Sequence, residues 1–487
     1  MQQPAADALP ALAQRIRQGL GHAPTAGQER ALEAFQRLLC SSAPAPALIL
    51  SGYAGTGKTA LVGALVGALA ALRVPTVLLA PTGRAAKVLA ASARAEASTI
   101  HRRIYRLGEG IDGPRVSVAA NRQAGALFIV DEASMIGGAG ANEGFGSRDL
   151  LGDLIEHVFA QEGCKLLFIG DPAQLPPVGS LLSPALDPQA LRALGLTAGI
   201  VRLTEVVRQA KGSGILRNAT ALREAIGAAS AMPPAGTGPD APIHPPVFIP
   251  SADVVRIDGL DLQDALESAY ARDGDDEVCV VCRSNKRAYQ YNMQVRSRIH
   301  GNEEEVSPGD RLMVVRNDYL WAGLNGKPEL IANGELVTVR RVLRVEQRHG
   351  LRFADMVLGW WNGAEQRELE AKVMLDTLAA DGPALPLPRL RALAEAIVEE
   401  QQPLTRAARS KVLREDPCLN ALQVKYAYAV TGHKAQGGQW RTVFVDQGWL
   451  TEEMIDREWL RWLYTAVTRA TERLYLLNFH GRFWGEG

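Results

Sequence analysis

The octapeptide Gly52-Tyr53-Ala54-Gly55-Thr56-Gly57-Lys58-Thr59 restricts the fold of this chain more tightly than any other stretch. It lies between an apolar run at 47–50 and an uncharged apolar run at 59–72, so a strand leads into a glycine-rich turn and a helix leads out. In that setting GxxxxGK[ST] is a phosphate cradle. The glycines let successive backbone N–H groups face phosphate oxygens, the helix N-terminus adds its positive end, Lys58 reaches the β- and γ-phosphates, and the Thr59 hydroxyl ligates Mg2+. Such a cradle stands on a parallel sheet, and runs at 76–80, 127–130, 166–169 and 201–203, alternating with helical patterns, predict one. The run at 59–72 is 14 residues long, short of the ~18 that a membrane span needs, and reads as a buried helix.

The cradle also needs a second metal ligand and a group that activates water. The apolar strand at 127–130 ends in Asp131-Glu132, which offers Asp131 to the metal and Glu132 to the water. The next strand ends Gly170-Asp171-Pro172-Ala173-Gln174, which sets the Gln174 amide beside the same sheet edge, where it can sense a γ-phosphate.

Further along, runs at 278–282, 442–445 and 474–477 predict a second α/β unit. It is interrupted at about 301–417 by β-branched stretches at 311–316, 335–345 and 351–361, with Asn325-Gly326 and Asn333-Gly334 as hairpin turns, the pattern of a small barrel. Proline-rich stretches at 232–246 and 381–388 read as exposed loops or linkers. The acidic run at 273–277 reads as a solvated turn.

Composition bounds the partners. The 487 residues carry 53 Lys+Arg against 53 Asp+Glu, so a polyanion must be met by a local basic patch. Residues 81–106 supply one, with Arg84, Lys87, Arg94, Arg102, Arg103 and Arg106 against Glu96 alone. Trp360, Trp361, Trp440 and Tyr426 fit either base stacking or a core, and the residues alone leave that open. Five scattered cysteines (Cys40, Cys164, Cys279, Cys282 and Cys418) argue for a reducing compartment, and Cys279 and Cys282 read as buried strand residues and not a zinc half-site. With no apolar segment of the secretory kind at residues 1–20, the expected location is the cytoplasm.

Four blocks then carry a family resemblance: Asp131-Glu132-Ala133-Ser134, Gly170-Asp171-Pro172-Ala173-Gln174-Leu175-Pro176-Pro177-Val178, Val430-Thr431-Gly432-His433-Lys434-Ala435-Gln436-Gly437, and Tyr464-Thr465-Ala466-Val467-Thr468-Arg469-Ala470. With the cradle they resemble a superfamily 1 DNA helicase of the RecD-like and Dda-like branch, over residues 28–477. The resemblance implies an α/β fold of two RecA-like P-loop motor domains, with a short insertion in the first and a β-rich, SH3-like insertion in the second. The expected boundaries are 1–205 for the first motor domain, with a small hairpin at about 102–125, then 206–300 and 418–487 for the two parts of the second, and 301–417 for the SH3-like module.

The implied activity is Mg-ATP hydrolysis that drives a monomer 5′ to 3′ along single-stranded DNA and through duplex junctions. Gln28 matches the family's adenine-reading glutamine, and Gly52, Gly55, Thr56, Gly57, Lys58 and Thr59 the nucleotide loop. Gln436 and Gln439 are carried over as further nucleotide contacts, Gln439 standing where many relatives have a glutamate. Arg208 and Arg469 match the arginines that reach the γ-phosphate from the second domain. Thr82, Arg84, Thr99 and His101 match first-domain strand contacts, and Thr431, His433 and Lys434 second-domain ones. The hairpin region at 108–123 offers no aromatic wedge to split a duplex. A nucleotide-gated clamp and an RNA helicase are the alternative readings of the same residues.

Overall fold

The computed structural model describes residues 8–110, 113–138, 149–207, 212–230, 245–318, 321, 331–361, 365–402 and 405–486. Helices α1 (Ala8–Leu20) and α2 (Ala26–Cys40) precede β1 (Pro46–Gly52), the glycine-rich loop and α3 (Lys58–Ala71). Next come β2 (Thr76–Ala80), α4 (Gly83–Ala93), β3 (Ala97–Thr99), α5 (Ile100–Ile104) and the antiparallel pair β4 (Tyr105–Gly110) and β5 (Gly113–Val118). The first half closes with β6 (Leu127–Val130), α6 (Leu150–Phe159), β7 (Lys165–Gly170), α7 (Pro188–Ala193) and β8 (Thr197–Leu203). Its sheet runs β3-β2-β6-β7-β1-β8, and every pairing is parallel.

Alternation along each strand explains why the apolar runs make a sheet covered on both faces. On β1, Leu48 and Leu50 enter one core while Ala47 and Ile49 enter another. On β6, Leu127 and Ile129 go with the first pair and Phe128 and Val130 with the second. Helix α3 is apolar nearly all round because it is wedged under α1, where Gly19 lets the backbones meet: a Cβ on Gly19 would lie 3.1 Å from Ala64 Cβ.

The second half opens with α8 (Gly214–Ser230), β9 (Val254–Ile257), α9 (Leu262–Asp273), β10 (Val278–Cys282) and α10 (Asn285–Gln294). The chain then enters a closed barrel of β11 (Arg311–Val314), β12 (Leu336–Arg348), β13 (Leu351–Trp361), β14 (Gln366–Met374) and, after α11 (Leu387–Gln401) and α12 (Arg406–Glu415), β15 (Leu422–Tyr426). It returns through β16 (Ala429–Thr431), α13 (Gly432–Ala435), β17 (Trp440–Asp446), α14 (Arg457–Val467) and β18 (Ala470–Leu477) to complete a parallel sheet ordered β16-β10-β17-β18-β9. The last barrel strand thus lies beyond residue 417 and runs almost directly into β16.

Barrel and second sheet share one core: Val280, Phe444 and Tyr475 of the sheet pack in the same cluster as Val337, Met356 and Trp360 of the barrel. Trp360, Trp440 and Tyr426 are buried core residues, at 2%, 1% and 3% exposure, and Cys279 and Cys282 are buried on β10. Within the acidic run, the Asp273 side chain is buried against Arg272 and Thr442 instead of solvated, because it closes α9 against β17. The Asn333-Gly334 turn forms, with Gly334 at φ +87°, whereas Asn325-Gly326 lies outside the described residues. No helix among the described residues is long and apolar enough to cross a membrane.

Candidate active site and nucleic-acid interface

The glycine-rich loop rises from the carboxyl end of β1, between β7 and β8. Gly55 and Gly57 take φ +75° and +79°, values that L residues with a side chain seldom adopt, and Gly57 caps α3 in the left-handed conformation. A Cβ on Gly57 would sit 2.6 Å from Gln28 Nε2. Gln28 is wholly buried: its amide donates to Thr56 O at 3.3 Å, and its Oε1 accepts the Thr25 N–H at 3.0 Å to complete a capping box on α2. Lys58 Nζ turns into the loop, donating to Gly52 O at 2.6 Å and Tyr53 O at 2.9 Å, and lies 4.0 Å from Asp171 Oδ2. Thr56 Oγ1 donates to Tyr53 O at 2.7 Å, and Thr59 is exposed at the first turn of α3.

The ends of β6 and β7 bring the acidic groups to the same edge. Asp131 Oδ1 accepts the Glu132 N–H at 2.8 Å, and burial, aided by the neighbouring Glu132, lifts the Asp131 carboxyl to about 7. Glu132 sits at φ +51°, a conformation costing of order 1 kcal/mol. Gln174 is buried, and its Oε1 has no hydrogen-bond partner among the described residues; the same holds for Ser134 Oγ.

The second sheet closes over this edge through α14. The Tyr464 hydroxyl donates to Asp171 Oδ2 at 2.6 Å and accepts the Ala54 N–H of the loop at 2.9 Å. Thr465 Oγ1 accepts the Leu175 N–H at 2.9 Å, Gln436 Nε2 donates to Leu175 O at 2.7 Å, and Arg461 Nη1 donates to Leu181 O at 2.5 Å. Gln436 is therefore buried as a tie between the two halves. Arg469, 3% exposed, is held by the carbonyls of Thr465 and Gly438 and points Nη1 at Glu132 Oε1, 3.8 Å away. The Gln439 side chain is exposed one residue beyond Gly438. Arg208 lies outside the described residues.

The sequence-predicted strand contacts meet at the same junction. Thr82 caps α4 by accepting the Ala85 N–H at 3.3 Å, and Thr99 caps α5 by accepting the Arg102 N–H at 3.2 Å. Arg84 lays its guanidinium over the Trp440 ring, 3.7 Å from the centroid, and donates to Gln439 O, and burial lowers it to about 10. His101 packs against Tyr105, and burial lowers it to about 4, so it is neutral at pH 7. Gly437 approaches α4 so closely that a Cβ on it would lie 2.7 Å from Ala85 Cβ. Thr431 caps α13 without a side-chain bond, His433 is exposed, and Lys434 Nζ is buried with no hydrogen-bond partner among the described residues.

Sequence reasoning assigned no role to Tyr464, Asp171 or Arg461, although all three stand in or beside the quoted blocks. It had no signal at all for Glu335, which reaches from the barrel to bond Arg102 at 2.9 Å and Trp360 Nε1 at 2.6 Å.

A phosphate cradle, paired carboxylates at the end of another strand of the same sheet and an arginine delivered by a second parallel sheet define a P-loop protein built of two RecA-like domains. The family model described as an AAA domain matches residues 25–232, and that of the UvrD-like helicase C-terminal domain matches residues 426–477. The ATP-dependent RecD2 DNA helicase of Deinococcus radiodurans is 35% identical over 175 residues, which is 36% of this chain and 21% of that one, so the match spans about a fifth of the relative. These findings bear out the resemblance to a superfamily 1 helicase of the RecD-like kind. Among solved structures, Pif1 helicase from Bacteroides in complex with ADP-AlF3 and ssDNA is 14% identical with TM-score 0.45, covering 95% of this chain and 94% of that one. Pif1 from Candida albicans is 16% identical with TM-score 0.45, covering 94% and 95%.

Proposed function

We propose that this protein is an ATP-dependent DNA helicase that moves 5′ to 3′ on single-stranded DNA and unwinds the duplex ahead of it. The observation that carries the reading is the junction itself: the loop that would hold a triphosphate and the residues that would hold a strand are tied to the second domain through one continuous set of contacts, Tyr464, Arg469, Gln436 and the Arg84–Trp440 stack.

In this reading the Gly52, Gly55, Thr56 and Gly57 backbone cradles the phosphates of ATP, Lys58 exchanges its loop carbonyls for phosphate oxygens, and Gln28 faces the adenine. The Mg2+ that accompanies ATP suits these residues. Asp131 is a carboxyl raised by burial and by the neighbouring Glu132, effects that a cation would offset, and Thr59 offers an exposed hydroxyl at the start of α3. When bound, the cation would neutralise charge on the phosphate oxygens, with Thr59 and Asp131 as its protein ligands. Glu132 accepts the proton of the attacking water, and the buried Gln174 amide senses the γ-phosphate. Arg469 leaves Glu132 for the γ-phosphate as the domains close, with Arg208 as its companion and Gln436 and Gln439 lining the second-domain side. Hydrolysis releases those contacts, and the domains part. Grip then alternates between Thr82, Arg84, Thr99 and His101 on one side and Thr431, His433 and Lys434 on the other.

Backbone contacts of this kind bind without reading sequence, as a tracking motor requires. Every residue assigned lies on one chain, so a monomer suffices. The test is strand displacement with ATP and Mg2+ on matched duplexes carrying a 5′ or a 3′ single-stranded tail, with Lys58→Ala as control. Unwinding from the 5′ tail alone is the expected result; unwinding from the 3′ tail alone refutes the polarity. DNA-stimulated hydrolysis without displacement refutes the helicase.

A further inference from the structure

Glu335 follows the Asn333-Gly334 turn at the foot of β12, and its side chain leaves the barrel for the first domain. The buried carboxylate is held at both oxygens: Oε1 accepts from Arg102 Nη2 of α5 at 2.9 Å, and Oε2 accepts from the Trp360 indole of β13 at 2.6 Å. The turn lies directly on the start of α4. A Cβ on Gly334 would meet Thr82 Cβ and Cγ2 at 3.4 Å. A Cβ on Gly83 would lie 2.4 Å from Glu335 Cγ and 3.2 Å from its Oε1, so a side chain at 83 would push the carboxylate away.

The strand-tracking reading gives this ground to a backbone phosphate, held by Thr82, Arg84 and Thr99, and Arg102 adjoins it through its own N–H bond to Thr99. Glu335 supplies what that phosphate would bring, a negative charge at the positive end of α4 and beside a guanidinium. The two cannot share the space over Thr82 and Gly83, because their atoms would overlap and their charges repel at short range. We propose that Glu335 is a gate on the first-domain strand site: its carboxylate holds the phosphate position, and a single strand takes that position only after the turn has lifted away. The proposal rests on the strand-tracking reading and adds to it the regulation of one of its two grips, by a residue that no motif assigns. Barrel and second sheet share a core, so the turn travels with the second domain, and opening the gate parts the barrel from α4 and α5. Strand affinity is then reduced by the fraction of molecules whose gate stands open.

The experiment is anisotropy of a labelled oligo-dT strand binding the full chain, wild type against Glu335→Gln. Glutamine keeps an acceptor for Arg102 or the Trp360 indole and removes the charge, which loosens the gate. The expected result is binding about threefold to tenfold tighter in Glu335→Gln, with ATP hydrolysis half-stimulated at a correspondingly lower strand concentration. Equal or weaker binding by Glu335→Gln, beside a wild type that binds, sinks the gate and leaves the motor standing. If neither chain binds oligo-dT, the strand-tracking reading fails and the gate fails with it. A crosslink decides the matter should Glu335→Gln lose its native circular dichroism. Thr82→Cys with Gly334→Cys places two Cβ atoms about 3.4 Å apart, close to the ~3.5–4.5 Å of a disulfide. Oxidised wild type is the control, with Cys40 as its exposed cysteine. Saturating oligo-dT should slow formation of that disulfide severalfold, and the oxidised chain should lose the strand that the reduced chain binds. Crosslinking at an unchanged rate would put the turn on Thr82 while the strand is held, and so overturn the proposal.

Discussion

Tyr464 shows how one hydroxyl can join two functions. It accepts from the loop at Ala54 and donates to Asp171, which itself lies near Lys58, so the second domain feels the state of the phosphate cradle through a single oxygen. Tyr464→Phe keeps the ring and removes both bonds, leaving the buried Asp171 carboxylate short of a donor. The expected loss is about 1–3 kcal/mol in stability, together with weakened stimulation of ATP hydrolysis by DNA while basal hydrolysis is less affected. Denaturation midpoints and turnover with and without single-stranded DNA check this, and an unchanged stimulation ratio refutes the coupling. His101 gives a pH signature. Its folded value of about 4 lies below the ordinary 6.5, so the unfolded chain takes up a proton that the folded chain refuses. Stability contributed by the neutral ring is therefore full above pH 6.5 and is lost as pH falls toward 4, by up to about 3 kcal/mol. Urea midpoints measured over that range should fall more steeply for the wild type than for His101→Gln. Of the site, Lys58, Asp131 and Glu132 were legible because each stands in a contiguous strand-to-turn motif. The role of Tyr464 was not, because its meaning depends on a partner 410 residues away in the chain.

At the scale of elements, the contact between barrel and first domain is built like a latch. Glu335, 4% exposed at the foot of β12, bonds Arg102 of α5 and the Trp360 indole of β13, and it presses so near α4 that a Cβ on Gly83 would lie 2.4 Å from its Cγ. Its carboxylate thus lies against the start of α4, beside Thr82 and Arg84, where the strand-tracking reading puts a phosphate. Glu335→Ala removes the acceptor shared by Arg102 and Trp360, and the expected cost is about 3 kcal/mol, since breaking a buried pair strands its partner. Hydrogen exchange should show it as faster exchange in β12 and α5 with β10 unchanged, and a uniform change across the chain refutes a local latch. The elements themselves were legible where alternation was strong: the runs at 76–80, 127–130 and 278–282 are strands with those bounds. Short strands such as β3, β9 and β16 were not, since three or four residues carry too little pattern to stand out unless, as in β6, every one of them is large and apolar. Nor was β14, in which Arg367, Glu368, Glu370 and Lys372 are charged. The β12–β13 turn is made by His349-Gly350 at φ +51° and +72°, a two-residue turn for which histidine is an uncommon first residue and which the Asn-Gly rule misses.

For the whole molecule, the distribution of cores predicts how it comes apart. The first sheet has its own core on either face, while the second sheet and the barrel share one, with Val280 and Trp360 in a single cluster. The halves are joined mainly by polar ties and by Ala173 and Leu175, which reach from the first domain into the second-domain core. Barrel and second sheet should therefore unfold as one unit, separately from the first domain. The chain carries a convenient probe, because its eight tryptophans (Trp321, Trp360, Trp361, Trp440, Trp449, Trp459, Trp462 and Trp484) all lie in the second half. Urea titration should give one transition by tryptophan fluorescence and two by far-ultraviolet circular dichroism. Mg-ATP, binding to the folded cradle but not to the unfolded chain, should raise the transition that fluorescence does not see, by about 2.7 kcal/mol at a hundred times its Kd. A single coincident transition in both signals would mean that the ties around Tyr464 and Leu175 are strong enough to fuse the two domains. The alternating grip proposed here would then lack the loose junction it requires, since domains that move against each other must first be separable in free energy.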